Sequence, residues 1–133
     1  MKIANLYKTP IYPVSKGKNW GYGSRVPTED NCIIMELGRL NRIVDYNENL
    51  AYVTLEPGVT QRQLFEYLHT KKSNLMMSVT GSSPDSSLIG NTLERGVGKG
   101  PLGDRFAHVC GLEVVLVNLS MGVTPHARLQ NRA

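Results

Sequence analysis

Glycine is concentrated in two stretches of this 133-residue chain, and these stretches constrain the fold more than any other feature. The first, GKNWGYGS at 17–24, holds three glycines and directly follows the apolar segment PIYPVS at 10–15. The second, RGVGKGPLGD at 95–104, holds four. Glycine loses more backbone entropy on folding than any other residue, so such clusters indicate tight turns, bulges or a close approach of backbone to a ligand.

Two segments have the signals of helices. The first covers 60–72, with Thr60 as a suitable N-cap and two lysines at its end. The predicted apolar face of this helix consists of Leu64, Phe65 and Leu68. The second helix lies within 87–96, where Ser87 is suited to cap it and Gly96 to stop it.

Short apolar runs between these segments predict β-strands. They are rich in β-branched residues and are bounded by Pro, Gly or polar residues, which is typical of buried strands. The mixture of helices and strands predicts an α+β fold. The predicted strands cover residues 10–15, 32–37, 52–55 and 109–117.

Length and charge exclude several classes of protein. A chain of 133 residues is sufficient for one domain with a real core. The formal net charge is +4, but the basic residues are dispersed rather than clustered, which argues against a nucleic-acid surface. No apolar run approaches the roughly eighteen residues of a membrane span, and the start of the chain lacks a secretory signal. The sequence therefore predicts a cytoplasmic protein that binds neither nucleic acid nor membrane.

The first glycine segment is not a common nucleotide-binding motif. It has neither the G-x-G-x-x-G spacing of a dinucleotide-binding fold nor the Gly-Lys-Ser/Thr ending of a phosphate-binding loop. Glycines with positive φ would allow a nest, in which consecutive backbone N–H groups surround an anion. A plain turn explains the same residues, and both interpretations remain open.

The second glycine segment has two interpretations as well. It follows Asn91, Glu94 and Arg95, three polar residues on a short apolar helix. If these side chains are merely solvated, the glycines are hinges. If they are functional, two backbone-rich loops converge on one extended phosphate-bearing ligand, Asn91 supplies directional hydrogen bonds, and the helix start favours the anion.

Conventional catalytic residues are scarce. His69, His108 and His126 are dispersed along the chain, and no Ser or Cys has the setting of a catalytic nucleophile. The sequence also shows no cluster of metal ligands. We therefore predict no catalytic side chain and no metal site, and expect any chemistry to come from a bound cofactor.

Three motifs carry a resemblance to a known family. They are PVSKGKNWGYGS at 13–24, AYVTLEPGVTQRQLFEYL at 51–68 and SLIGNTLERGVGKGPLGDRFAHVCGLEVVL at 87–116. In this order and at these spacings they resemble the FAD-binding, PCMH-type domain of the vanillyl-alcohol oxidase and p-cresol methylhydroxylase family. The resemblance covers about residues 10–117. It implies the N-terminal subdomain of that α+β domain plus the beginning of its second subdomain.

The resemblance implies FAD as the cofactor and three groups of contacts to it. The loop after the first strand would wrap the pyrophosphate, a second turn would lie near the adenine, and a third group would form the opposite wall and the turn before the crossover between subdomains. The first group is Ser15, Lys16, Gly17, Lys18, Asn19, Trp20, Gly21 and Tyr22; the second is Pro57, Gly58 and Val59; the third is Thr80, Gly81, Ser82, Gly90, Asn91, Glu94, Arg95, Gly96, Gly98, Gly103 and Asp104.

The sequence departs from the family pattern at several positions. Relatives that link a histidine of the first loop to the flavin carry it about where residues 20–22 stand, and this chain has none there. Lys18 replaces a frequent arginine, and Ser86 and Ser87 replace residues that are more often glycine, which implies an altered grip on the pyrophosphate.

The predicted domain is partial. Residues 1–117 are expected to form part of the FAD-binding domain, and 118–133 a loose basic tail. The substrate domain of the family has no counterpart here, so the sequence is expected to be truncated.

Two functions from different classes follow. The first is FAD binding as the N-terminal part of an oxidoreductase that oxidises an alcohol or alkylphenol by hydride transfer to the flavin. The alternative is a non-catalytic nucleotide-binding or interaction module. The strand at 109–117 could also pair with a second copy or a companion chain, because an apolar edge strand invites pairing.

Overall fold

The computed structural model describes residues 1–19, 25–98 and 103–115, and the backbone of 121–123. Helices and strands are mixed, as the α+β prediction requires. Among the described helices, none is long and apolar enough to cross a membrane. The elements are α1 (Lys2–Leu6), β1 (Ile11–Val14), β2 (Ile33–Glu36), β3 (Ile43–Asn47), β4 (Tyr52–Leu55), α2 (Gln61–Thr70), α3 (Leu88–Leu93), β5 (Glu113–Val115) and β6 (Met121–Val123), with a 3₁₀ turn at Phe106–His108.

The first two strands form a parallel pair, with Ile11 opposite Ile33 and Val14 opposite Glu36. Because the strands are parallel, the chain leaves both of them at the same edge, so the glycine loop after β1 lies beside the turn after β2. Both strands were predicted. The expected burial of the second is wrong, because Ile33 is 49% exposed.

The hydrophobic core lies between α2 and the antiparallel hairpin of β3 and β4. Val59, Leu64, Leu68 and Leu88 are buried together. The partly buried residues around them are Ile43, Tyr46, Val53, Leu55, Tyr67 and Met77.

Two details of this core differ from the sequence-based prediction. Strand β3 was not predicted, although its Ile43 and Tyr46 pack against the core. Phe65, placed on the buried face of α2, is 60% exposed and stacks on His69, while Tyr67 packs inward against Tyr46. The apolar stripe of α2 is therefore rotated away from Phe65.

Both longer helices are capped at their starts as predicted. The Thr60 hydroxyl accepts a hydrogen bond from Gln63 N at 3.1 Å, and the Ser87 hydroxyl accepts one from Gly90 N at 2.9 Å. Each cap satisfies a backbone N–H that has no partner within the helix.

Helix α2 ends at the two lysines as predicted, whereas the left-handed residue that ends α3 differs from the predicted Gly96. In α3 the left-handed residue is Arg95, with φ of 56°, and Gly96 N donates to Asn91 O at 2.7 Å. In α2, Lys72 has φ of 53° and Ser73 N donates to Leu68 O. Both arrangements are Schellman motifs, which usually place glycine at the left-handed position. Gly96 therefore follows the left-handed residue rather than providing it.

The C-terminal prediction needs a correction. Within the predicted strand at 109–117, the described strand is shorter, Glu113–Val115, and it pairs antiparallel with Met121–Val123. Residues 121–123 belong to the segment predicted as a loose tail, 118–133, so that prediction is wrong for these three residues. The boundary at residue 117 stays a prediction.

The adjacent residues Leu64 and Phe65 allow a test of the core. We expect Leu64→Ala to lower the free energy of unfolding by about 3 kcal/mol, because it leaves a cavity in packed surroundings. Phe65→Ala should cost less than about 1 kcal/mol, because that ring is largely exposed. Urea unfolding followed by circular dichroism measures both. Equal losses would contradict this assignment of the core.

The ion pair between Arg42 and Glu56 predicts a pH dependence. The Glu56 carboxylate accepts hydrogen bonds from Arg42 Nη2 at 2.7 Å and Arg42 N at 2.8 Å, which lower its pKa below the usual 4.5. Stability from this pair is present above pH 4.5 and is lost as the pH falls through the lowered pKa. Glu56→Gln should lower the melting temperature at pH 7 and flatten its decline between pH 5 and about pH 3. The exposed Glu29→Gln is the control, and identical curves for the two variants would refute the prediction.

Candidate functional site

The loop after β1 has the backbone features of an anion site. Gly17 has φ of 62°, and within the described residues no backbone acceptor engages the N–H groups of Lys16, Gly17 or Lys18. Gly38, after β2, lies against this loop, since a Cβ there would be 3.2 Å from Ser15 O and 3.8 Å from Lys16 Nζ. With no backbone acceptor for them among the described residues, the amides of 16–18 and the Lys16 side chain are available at one end of the parallel strand pair.

An ion pair between Arg25 and Glu36 lies beside Gly17. Arg25 Nη1 lies 2.6 Å from the Glu36 carboxylate, and both side chains are more than half exposed. A Cβ at Gly17 would be 2.5 Å from Arg25 Nε. The positive φ therefore favours glycine at position 17, whereas the exposed Arg25 side chain can move aside for an added Cβ.

The loop after β1 contacts the start of α3 through Ser15 and Gly90. A Cβ on Gly90 would lie 2.7 Å from Ser15 Oγ. Lys16 and Lys18 also contribute, after Arg62, to the lowering of the Asp85 pKa, so their positive charges lie near the segment that precedes α3.

The start of α3 itself does not fit the predicted anion site. Leu88 N donates to Val59 O at 3.1 Å, and Gly90 N donates to the Ser87 hydroxyl. These two N–H groups are therefore unavailable to an anion.

The turn at 57–59 has a structural role that the sequence analysis missed. A Cβ at Gly58 would lie 2.6–2.8 Å from the carbonyl oxygens of Leu40, Gly38 and Leu37. Val59 has 0% exposed surface and lies in the core. The predicted contact of Val59 with a ligand is therefore not supported by its burial, and Gly58 is explained by close approach of two backbone segments.

Residues of the predicted opposite wall are held together by backbone pairing. Thr80 pairs with Gly98, and Val97 with Asp104, while Gly98 N donates to Gly103 O at 2.7 Å. Asp104 Oδ1 accepts from Phe106 N at 3.0 Å and so caps the 3₁₀ turn.

Buried Gln61 anchors this wall to α2. Its Oε1 accepts from Thr80 N at 3.0 Å, and its Nε2 donates to Ser86 Oγ at 2.8 Å and Ser83 O at 3.2 Å. Only 4% of Gln61 is exposed. The sequence analysis did not single out this residue; a polar residue in the first turn of an amphipathic helix was the one available signal.

Arg105 is the second residue that sequence reasoning missed. It is 7% exposed, its Nη1 donates to Asn91 Oδ1 at 2.9 Å, and its Nη2 donates to Ser78 O. Burial lowers the pKa of its guanidinium. Arg105 therefore joins α3 to the chain segment that begins the opposite wall.

The remaining predicted residues are less connected. Glu94 and Gly81 are exposed, and exposed Arg95 lies 4.1 Å above the Phe106 ring. Ser82 Oγ donates to Ser86 Oγ at 3.0 Å. Trp20, Gly21 and Tyr22 lie outside the described residues. In the part of the chain that the structure describes, no three His, Cys, Asp or Glu side chains form a group that could hold a metal.

The sequence profile of the FAD binding domain family matches residues 1–119. The chain belongs to this family. The unpaired amides of the first loop and the contact between Ser15 and Gly90 fit a domain whose cofactor carries a diphosphate. FAD is therefore the cofactor of this FAD-binding domain.

Individual relatives support the same assignment. The domain is 59% identical over 118 residues to 1'-carboxy-chondrochloren decarboxylase of Chondromyces crocatus. It is 39% identical over 118 residues to the flavoprotein subunit of 4-cresol dehydrogenase (hydroxylating) of Pseudomonas putida. Each alignment covers 89% of this chain, but 22% and 23% of the relatives.

Solved structures agree with this fold. p-Cresol methylhydroxylase with bound substrate superimposes with a TM-score of 0.89 at 38% identity, over 92% of this chain and 24% of that one. The 4-ethylphenol oxidase of Gulosibacter chungangensis, in complex with isoeugenol, gives 0.89 at 36%, over 98% and 25%. The predicted PCMH-type fold and relationship to p-cresol methylhydroxylase are confirmed, and the chain spans about a quarter of the length of these relatives.

Two glycines of the FAD-binding domain allow a matched test of the turn at 57–59. We expect Gly58→Ala to destabilise the domain by more than about 2 kcal/mol, because its Cβ would overlap three backbone oxygens that cannot move independently. Gly81→Ala should change stability by less than about 1 kcal/mol, because nothing lies within 4 Å of its added Cβ. Thermal unfolding of both variants measures this, and a stable Gly58→Ala variant would contradict the close approach.

Proposed function

We propose that the FAD is held between the loop after β1 and the wall formed by residues 80–82, α3, 96–98 and 103–104. The observation that carries this proposal is the contact between Ser15 and Gly90, which brings the two predicted halves of the site together. Flavin, when bound, supplies the hydride acceptor of the reaction. The protein supplies binding and orientation.

Individual residues have separate roles in this proposal. The N–H groups of Lys16, Gly17 and Lys18 hydrogen-bond the diphosphate, and the two lysine ammonium groups add favourable charge. Gly98 is buried and supports the opposite wall by making room for Ser78 Oγ, and Gly103 contributes its backbone carbonyl to the pairing with Gly98. Val59 supports the site indirectly by packing in the hydrophobic core, and it does not contact FAD.

We propose that the complete enzyme oxidises an alcohol or alkylphenol, in the manner of vanillyl-alcohol oxidase-type flavoproteins. Support comes from two relatives named for such substrates, 4-cresol dehydrogenase and 4-ethylphenol oxidase. The relative at 59% identity is named as a decarboxylase. The higher sequence identity to this relative favours a second candidate function, in which the substrate carries a carboxylate that is lost as CO₂.

The alternative of a non-catalytic module that has lost its cofactor makes a different prediction. It predicts that the chain either binds no FAD or binds it without reduction by any substrate. No family or relative described above favours it.

We also propose self-association, or pairing with a companion chain, through the segment 109–117. Within the described residues β5 pairs with β6 alone, and Val114 and Val115 are exposed. An exposed strand edge of this kind invites a further strand. Light scattering that is independent of protein concentration would argue against this association.

Titration with FAD tests the proposed site. Wild-type chain should quench flavin fluorescence and gain thermal stability that rises with the logarithm of the FAD concentration once this exceeds Kd. The double variant Lys16→Gln with Lys18→Gln should weaken FAD binding about fivefold, because two charges near the diphosphate are lost. Riboflavin binding, which involves no phosphate, should not change.

A matched control removes two lysines elsewhere. Lys71→Gln with Lys72→Gln, at the end of α2, makes the same change in net charge away from the proposed site. It should leave the FAD affinity within about twofold of wild type. Equal weakening by both double variants, or equal effects on FAD and riboflavin, would contradict the proposed phosphate contacts.

A further inference from the structure

Arg105 carries a buried positive charge that no carboxylate neutralises in the described part of the chain. It is 7% exposed, and the ion pairs there involve Arg25, Arg42 and Arg62 instead. Residues 20–24, 99–102, 116–120 and 124–133, which the structure does not describe, contain no Asp or Glu. A buried guanidinium without a carboxylate partner is costly, so a specific role is expected.

The contact of Arg105 with Asn91 determines which end of the Asn91 carboxamide points inward. A guanidinium has only hydrogen-bond donors, so the atom that faces Nη1 at 2.9 Å must be the amide oxygen. The Asn91 amide nitrogen, with its two N–H donors, therefore points away from Arg105. No acceptor in the described residues contacts this nitrogen.

Gly96 holds the other side of the same carboxamide. A Cβ at position 96 would overlap Asn91 Nδ2, Cγ and Oδ1. Gly96 N also donates to Asn91 O at 2.7 Å. The hydrogen bond from Arg105 and the close Gly96 backbone together restrict rotation of the amide.

We propose that Arg105 is a positioning residue, which fixes the Asn91 carboxamide so that its N–H donors hydrogen-bond an acceptor atom of the bound FAD. This inference rests on the proposed function and deepens it. Asn91 lies one residue from Gly90, which packs against the loop proposed to hold the diphosphate. A donor at this place recognises carbonyl, hydroxyl or phosphate oxygens and does not recognise another donor.

Replacing the amide with an isosteric carboxylate separates positioning from binding. Asn91→Asp keeps the acceptor for Arg105, adds a charge that neutralises the guanidinium, and removes both N–H donors. The melting temperature of the ligand-free 133-residue chain should therefore rise, while FAD affinity falls about tenfold or more. Asn91→Leu, which removes the acceptor and the donors without adding charge, should lower both.

Two controls complete the experiment. Asn49→Asp makes the same charge change in the exposed turn between β3 and β4 and should leave FAD affinity within about twofold of wild type. In an Arg105→Met background, Asn91→Asp should no longer raise the melting temperature, because its partner is absent. A merely structural role for Asn91 would not weaken FAD binding both in Asn91→Asp, whose apoprotein is more stable, and in the uncharged Asn91→Leu.

The outcomes are distinguishable. If wild-type chain binds FAD and Asn91→Asp binds it equally well, the donor role is wrong while the proposed function stands. If Asn91→Asp destabilises the ligand-free chain, or stabilises it equally without Arg105, the proposed orientation is wrong. If the wild-type chain binds no FAD, the proposed function and the donor role both fail, and the stability series still decides the pairing of Arg105 with Asn91.

Discussion

The junction between the turn at 57–59 and the start of α3 connects the core of this domain to its site. The Ser87 hydroxyl donates to Pro57 O at 2.6 Å, and Leu88 N donates to Val59 O at 3.1 Å. Val59 and Leu88 are both buried beside Leu64. The same few residues therefore complete the hydrophobic core and fix the position of α3, and α3 carries both Gly90 and Asn91. A helix this short needs such support, because six residues form too few internal hydrogen bonds to be stable alone.

Glycines have different physical roles in this domain. Glycine is favoured at position 17 because the backbone there has a positive φ. At position 58 it lets one backbone segment approach three carbonyl oxygens of another. Gly96 and Gly98 make room for side chains, the Asn91 amide and Ser78 Oγ respectively. A glycine-rich sequence can therefore mark close packing as well as ligand contact. Only the neighbours of each glycine distinguish these two explanations.

Polar residues in the interior organise the wall opposite the first loop. Gln61 satisfies three backbone or hydroxyl groups of the segment 80–86, and Arg105 bridges Asn91 to Ser78. Hydrogen bonds between buried polar groups favour one arrangement, because an alternative packing would leave these donors or acceptors without a partner. Such hydrogen bonds are important here because the wall opposite the first loop contains little regular secondary structure. The domain itself spans about a quarter of the length of its relatives.

The sequence by itself determined the features that depend on neighbouring residues and on motif order. Thr60 and Ser87 cap their helices through hydrogen bonds that span three residues, and the three motifs identified the FAD-binding family before any coordinate was known. Tertiary structure alone decided the exposure of Phe65, the burial of Val59 and the contact of Arg105 with Asn91. These features depend on which segments meet in space, and hydrophobic periodicity in a short helix or strand does not fix the angle at which it packs. The sequence therefore identified the cofactor, and the packing of distant segments decided which side chains are buried and which are exposed.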